Sequence, residues 1–205
     1  YTATHTPTAT YTTTHTPTQS ATPTLTSTAT IRPVLLAAGA NHSLAIHNGL
    51  IYGWGSNGYA QAPATTGLTP QVSAISAANN YSLALLSDGT VTGWGDNLNG
   101  QIDIPVGLQD IVQIDAGFDH VLARDRSGRV YAWGSNEYGQ ITIPDNLGTV
   151  KSISAGFAHS VALLADGTVR AWGDGDAYSQ TVLPSDLANV VAIAAGANHK
   201  IGRAH

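Results

Sequence analysis

Beyond Ile31 the chain breaks into short apolar runs separated by Gly, Asp and Asn, and the runs return at a fixed interval. In the stretch that starts at Val150, the run from His159 to Leu164 and the run from Thr168 to Trp172 flank Asp166-Gly167. Runs of this length bounded by turn residues predict strands. An Asp-Gly pair between them supplies the positive φ angles of a tight hairpin turn. Asp88-Gly89 repeats the arrangement, and Asn48-Gly49 and Ser127-Gly128 are looser versions of it. The pattern predicts strands near residues 34–38, 43–47 and 50–54 and at the matching positions of each later unit. Each unit is then a small antiparallel sheet.

The interval is set by landmarks that hold register over the whole region. Trp54, Trp94, Trp133 and Trp172 each begin a Trp-Gly pair, at spacings of 40, 39 and 39 residues. His42, Tyr81, His120, His159 and His199 keep the same step, as do Gln61, Gln101, Gln140 and Gln180. One such sheet cannot bury both of its faces, so the units must stack on one another, and short strands at this period suit radial packing. The predicted architecture is all-β: a β-propeller of tandem blades of about 39 residues, four complete and a partial fifth, preceded by an extended Thr/Pro-rich tail. The boundaries fall at 1–31 for the tail and 32–205 for the propeller, with blades at 34–71, 72–110, 111–149 and 150–189 and a partial one at 190–205. Ala77, Ala116, Ala155 and Ala195 fall in the first strands, where blades crowd the axis and only small side chains fit. Gly39, Gly117, Gly156 and Gly196 follow them and would allow close backbone approach or a bend.

The motifs Ile193-Ala194-Ala195-Gly196, His159-Ser160, Asp88-Gly89-Thr90-Val91, Ala132-Trp133-Gly134-Ser135-Asn136 and Gly139-Gln140 recur in register. Together they resemble the regulator-of-chromosome-condensation repeat family over about residues 34 to 205. The short unit, with Pro105, Pro144 and Pro184 in the links between blades, is most similar to secreted bacterial members, which include a propeller that inhibits β-lactamases. The resemblance implies a seven-bladed wheel that acts by binding, usually without catalysis. Unit two departs from the pattern, with Asn79 in place of Gly and Tyr81 in place of His. Arg124 and Arg203 stand where Ile46, Leu85 and Leu163 are apolar.

The first thirty residues follow a different rule. From Thr2 to Thr30 every even position is Thr, apart from Ser20, and a ten-residue repeat from Tyr1 to Thr8 returns from Tyr11 to Thr18. A Ser/Thr/Pro segment of low complexity and almost no charge predicts an O-glycosylated stalk. The candidate acceptors are Thr2, Thr4, Thr6, Thr8, Thr10, Thr12, Thr14, Thr16, Thr18, Thr22, Thr24, Thr26, Thr28 and Thr30. At ~3.1 Å per residue in an extended polyproline-like form, the tail would reach about 90 Å.

Composition narrows the chemistry. The formal charge is −5, with 13 acidic and 8 basic residues, the opposite of the basic surface that phosphate neutralisation needs, so no nucleic acid partner is expected. Cys is absent, which removes disulfides, thiolate metal sites and cysteine nucleophiles. Met is absent even at position 1, as expected if an upstream segment such as a secretory signal has been removed. No apolar run approaches the ~20 residues of a membrane span. One His per blade around a ring lies too far apart to converge on a metal, and each ring is expected to satisfy backbone groups within its own blade. Asp88 and Asp166 are turn residues, Asp96 and Asp174 begin the loop after Trp-Gly, and no nucleophile, base and orienting group recur together. Catalytic residues, metal and cofactors are therefore all expected to be none, and the Trp residues are expected in the blade cores.

Tyr59, Tyr138 and Tyr178 align two residues before the repeat Gln, with Asn99 at the same place in unit two. Equivalent loops of a propeller share one face, so these residues either form an arc for protein or sugar contact or pack under their own loops. The leading expectation is a non-enzymatic extracellular or cell-surface structural protein of bacterial type. In it a glycosylated stalk carries a propeller and self-association runs head to tail into a filament. The second is a secreted protein-binding module or enzyme inhibitor that uses one propeller face.

Overall fold

The computed structural model describes residues 35–64, 66–174, 180–196 and 200–204. The tail with its candidate Thr acceptors, and Tyr178 and His199, lie outside the described residues. Fifteen strands are described, with no helix among them. They form five antiparallel sheets in chain order. Blade 1 holds β1 (Leu35–Ala38), β2 (His42–His47), β3 (Leu50–Gly55) and a two-residue β4 (Thr66–Gly67). Blade 2 holds β5 (Val72–Ala78), β6 (Tyr81–Leu86) and β7 (Val91–Gly95). Blade 3 holds β8 (Ile111–Ala116), β9 (His120–Asp125) and β10 (Val130–Gly134). Blade 4 holds β11 (Val150–Ala155), β12 (His159–Leu164) and β13 (Val169–Gly173). The fifth sheet pairs β14 (Val190–Ala195) with β15 (Lys200–Ala204). The first strands β1, β5, β8, β11 and β14 touch one another in turn, and β5, β8, β11 and β14 each pack on the middle strand of the blade before it. This is the predicted β-propeller arrangement.

Period-two alternation in the middle strands explains the stacking. In β6, Leu83 and Leu85 point into the core shared with blade 3, while Ala84 and Leu86 point into the core shared with blade 1. In β12, Ala162 and Leu164 face blade 3, and Val161 and Leu163 face blade 5. Among the described residues every apolar core therefore lies between two blades and none within one. At about 1.5–3 kcal/mol for each large apolar side chain buried, the interfaces hold most of the stability. Arg124 takes the position of Leu163 in blade 3. Its Nε donates to Gln113 Oε1 at 3.4 Å, and Gln113 in turn donates to Ile153 O of blade 4 at 3.0 Å. A polar bridge thus replaces the apolar contact there.

The first strands end where expected: Ala77, Ala116 and Ala155 are buried, and with Ala195 they line a central opening of about 430 Å³. The Trp residues are less uniform. Trp133 and Trp172 are buried and Trp94 is half-buried, each donating its Nε1 proton to the carbonyl of the repeat Gln in the preceding blade. Trp54 has no preceding blade among the described residues and is 53% exposed.

The hairpins reverse the expected order. Asn48 and Gly49 have φ of 52° and 78°, and with His47 paired to Leu50 they form the true two-residue turn. At Asp88-Gly89 and Asp166-Gly167 only the glycines are left-handed. The Asp carboxylates instead accept the backbone N–H and hydroxyl of Thr90 and Thr168 at 2.7–3.0 Å, so the Asp serves as a cap rather than as a positive-φ residue.

Candidate functional site

Two sets of loops share one face of the propeller because they are hydrogen-bonded together. The inner set joins the first and second strands of each blade, and the outer set follows Trp-Gly. Outer-loop amides of Ser56, Asp96, Ser135 and Asp174 donate to inner-loop carbonyls of Asn41, Asn80, Asp119 and Ala158 at 2.7–3.0 Å. The repeat Gln shapes each outer loop from inside. Oε1 of Gln61, Gln101 and Gln140 accepts the amides of Tyr59, Asn99 and Tyr138 at 2.8–2.9 Å.

The inner loops depend on a Gly–His pair. A Cβ on Gly117 would lie 2.3 Å from Cε1 of His120, and one on Gly156 would lie 2.3 Å from Cε1 of His159. The imidazole occupies the space that a side chain on the glycine would fill. The rings do not serve their own blades, as expected from the sequence, but tie neighbours together. His42 Nε2 meets Ser82 Oγ at 2.8 Å and His120 Nε2 meets Ser160 Oγ at 3.0 Å, one blade on. Those serines donate to Gln61 O and Gln140 O. Burial holds the His42 imidazole below its usual range, and burial reinforced by His159 lowers His120 to about 4. These rings are neutral struts.

Unit two corrects the sequence alignment by one residue. Ala78 pairs with Tyr81 and so stands in the Gly position, while Asn79 follows it at φ 33°. With a Cβ already present, an imidazole has no room. Tyr81 extends past it, and its hydroxyl donates to Gly117 O at 2.8 Å and His120 O at 2.7 Å in blade 3. The Ala–Tyr pair thus replaces the Gly–His pair as a unit.

Above this frame the side chains face solvent. Tyr59 and Tyr138 are 51% and 52% exposed, and Asn99 and Leu98 are exposed beside them. The tyrosines are not packed under their own loops. Phe118 and Phe157, two residues before the repeat His in blades 3 and 4, stack with ring centroids 4.2 Å apart, and Phe157 is 42% exposed. Beside them a cleft of about 160 Å³ is lined by Asp119, Glu137 and Tyr138. Asp119 Oδ1 accepts from Asn79 Nδ2 at 3.0 Å. Burial pushes its carboxyl up, with Asp96 and Glu137 adding to the rise. Asp119 and Glu137 have no counterpart at the matching positions of the other described units, and repetition therefore does not reveal them.

Three other carboxylates are engaged structurally. Asp88 and Asp166 are held low by their Thr caps. Asp115, near the axis, accepts from Ser76, Ser154 and the Ala155 amide, and desolvation still pushes it up. Among the described residues no three His, Cys, Asp or Glu side chains group as a metal site.

Residues 72–101, 111–140 and 150–180 match the regulator of chromosome condensation (RCC1) repeat. Among solved structures, the chain is similar to Prp20p of Saccharomyces cerevisiae, at 22% identity and a TM-score of 0.69 over 83% of this chain and 55% of that one. It is similar to the ectodomain of the Arabidopsis thaliana receptor kinase ACR4, at 23% identity and a TM-score of 0.66 over 82% of this chain and 58% of the other. The ectodomain of the Physcomitrella patens receptor kinase CR4 matches at 26% identity and a TM-score of 0.62, over 78% of this chain and 44% of that one. The chain spans about half the length of these structures.

Proposed function

This chain is a propeller of regulator-of-chromosome-condensation repeats, and on that premise we propose that it is a protein-binding module that works without catalysis through its loop face. The observation that carries the reading is the projection of Tyr59, Leu98, Asn99, Tyr138 and Phe157 into solvent from loops fixed by buried Gln and His. Aromatic side chains on a rigid frame make strong anchors, because little ordering entropy is lost when a partner covers them. Prp20p has binding properties towards Gsp1p and histones, which agrees with protein contact as the mode of action. Asp88 and Asp166 cap turns, and Asp115 and Asp119 accept from the neighbouring blade.

The Thr-rich tail adds a placement to this activity. An O-glycosylated stalk would hold the propeller away from a cell surface, and the moss relative is itself an ectodomain. Head-to-tail assembly through the tail is the further possibility the Thr pattern raises. The binding reading is tested by affinity capture from the secretions and cell surface of the source organism. Wild-type chain is compared with Tyr59→Ala/Asn99→Ala/Tyr138→Ala and with Arg126→Ala/Arg129→Ala on the hairpin side. Loss of the captured protein with the first variant alone is the expected result; loss with the second alone, or capture of nothing by the wild type, overturns the reading.

A further inference from the structure

The four described inner loops occupy equivalent places but differ in surface. At the position two before the repeat His the residues are Ala40, Asn79, Phe118 and Phe157, and at the next position Asn41, Asn80, Asp119 and Ala158. The outer-loop position four beyond Trp carries Gly58, Leu98 and Glu137. The half-buried Phe118 ring, the exposed Phe157 and Tyr138 rings and two carboxylates therefore coincide at the gap between blades 3 and 4. They do not coincide at the gap between blades 1 and 2.

Charge on this face has one sign. The described inner and outer loops at 39–41, 56–63, 79–80, 96–102, 117–119, 135–141, 156–158 and 174 contain Asp96, Asp119, Glu137 and Asp174 and no Lys or Arg. The described cations sit on strands or at the hairpin ends, as Arg126 and Arg129 do beside Gly128. Asp119 shows the consequence. One of its oxygens has Asn79 as partner, the charges acting on it are the carboxylates of Asp96 and Glu137, and its carboxyl is raised. A cation placed there would relieve both the desolvation and the repulsion.

We infer that the cleft between blades 3 and 4 receives an arginine side chain from a protein partner, its guanidinium stacked on the Phe118, Phe157 and Tyr138 rings and paired with Glu137 and Asp119. This rests on the loop-face reading and specifies the partner's chemistry. The cleft, at about 160 Å³, has room for one side chain. Guanidinium is the cation that both lies flat on an aromatic ring and offers a fork of donors to carboxylates, whereas an ammonium is a more strongly hydrated point charge. The walls are fixed before binding: Ser135 N donates to Asp119 O at 2.8 Å, Phe118 N to Gly156 O at 3.1 Å and Tyr138 N to Gln140 Oε1 at 2.9 Å. Little reorganisation is needed on entry.

The test is an NMR titration of the full chain with acetyl-Gly-Arg-Gly-amide and with its citrulline and lysine counterparts, read at the ring signals of Phe118, Phe157 and Tyr138. The arginine peptide should give saturable shifts at these rings with a millimolar dissociation constant, the scale of one anchoring side chain. It should bind about tenfold tighter than the uncharged, near-isosteric citrulline peptide, and Glu137→Gln/Asp119→Asn should abolish that preference. Arg126→Ala should not change it. Equal binding of arginine and citrulline, shifts that map elsewhere, or no saturable shift overturns the inference. The captured partner separates the two readings. If Glu137→Gln/Asp119→Asn retains a partner that Tyr59→Ala/Asn99→Ala/Tyr138→Ala loses, the arginine inference fails and the loop-face reading stands. If neither variant loses it, both fail.

Discussion

Gly39→Ala is the sharpest probe of how the inner loops are built. The new Cβ would lie 2.2 Å from His42 Cε1, 2.5 Å from Nδ1 and 3.1 Å from Nε2. Carbon atoms prefer about 3.5–4.0 Å, so the ring must retreat by more than an ångström, and its 2.8 Å contact with Ser82 Oγ does not survive. Overpacking of about 1–3 kcal/mol and a lost buried hydrogen bond of about 1 kcal/mol give a cost of roughly 2–4 kcal/mol. For a chain of this size that lowers the thermal midpoint by roughly 5–15 °C. Unit two already contains the remedy, because there Ala78 is accompanied by Tyr81. The double variant Gly39→Ala/His42→Tyr should recover most of the loss, its hydroxyl reaching Ala78 O and Tyr81 O as Tyr81 reaches Gly117 O and His120 O. Differential scanning calorimetry on the wild type, both single variants and the double variant gives the coupling as a mutant cycle. An unchanged midpoint for Gly39→Ala, or a double variant whose loss is the sum of the two singles, would refute this account of the pair.

Three further outcomes follow from the same geometry. His120 is lowered to about 4 in the folded chain from its ordinary 6.5, so its contribution is full above pH 6.5 and is lost as pH falls towards 4; His120→Gln should flatten the midpoint-versus-pH curve in that window, and an unchanged slope would count against a buried neutral ring. Asp115 is shifted the other way, so its contribution is full below its ordinary value of 3.8 and is lost as pH rises through the raised value. Asp115→Asn keeps an acceptor for the Ala155 amide and Ser154 and should leave the chain as stable or more stable at pH 7 by calorimetry, whereas a large loss would mean the charge itself is needed. Intact mass before and after chemical deglycosylation should differ if the tail carries O-linked sugars, and equal masses matching the bare sequence would end the stalk proposal.

The fold was legible because its determinants recur. Trp133 and Trp172, the Gln carbonyls they bond and the apolar alternation of β6 and β12 each appear at the same step, and repetition separates such a signal from chance. What the sequence reading lost was whatever depends on the neighbouring blade. His42 and His120 were assigned to their own blades because a one-dimensional pattern does not show that Ser82 and Ser160 lie opposite them. The Gly position of unit two was misplaced at Asn79 because Ala78 and Asn79 differ little as letters; the pairing of Ala78 with Tyr81 decides it. Asp88-Gly89 and Asn48-Gly49 were ranked by turn propensity, yet the Thr after each Asp makes a different turn possible. The cleft beside Phe118 is hidden for the opposite reason: its carboxylates, Asp119 and Glu137, are residues in which one repeat departs from the others.

The central claim, that the loop face is where this propeller meets a protein, is tested most directly by hydrogen–deuterium exchange on the chain with its captured partner. The amides of 56–61, 96–101, 117–119, 135–140 and 156–158 should gain protection on binding, while the hairpin turns at 88–89, 127–128 and 166–167 exchange as in the free chain. Protection centred on the hairpin turns, with the loop face unchanged, would contradict the account.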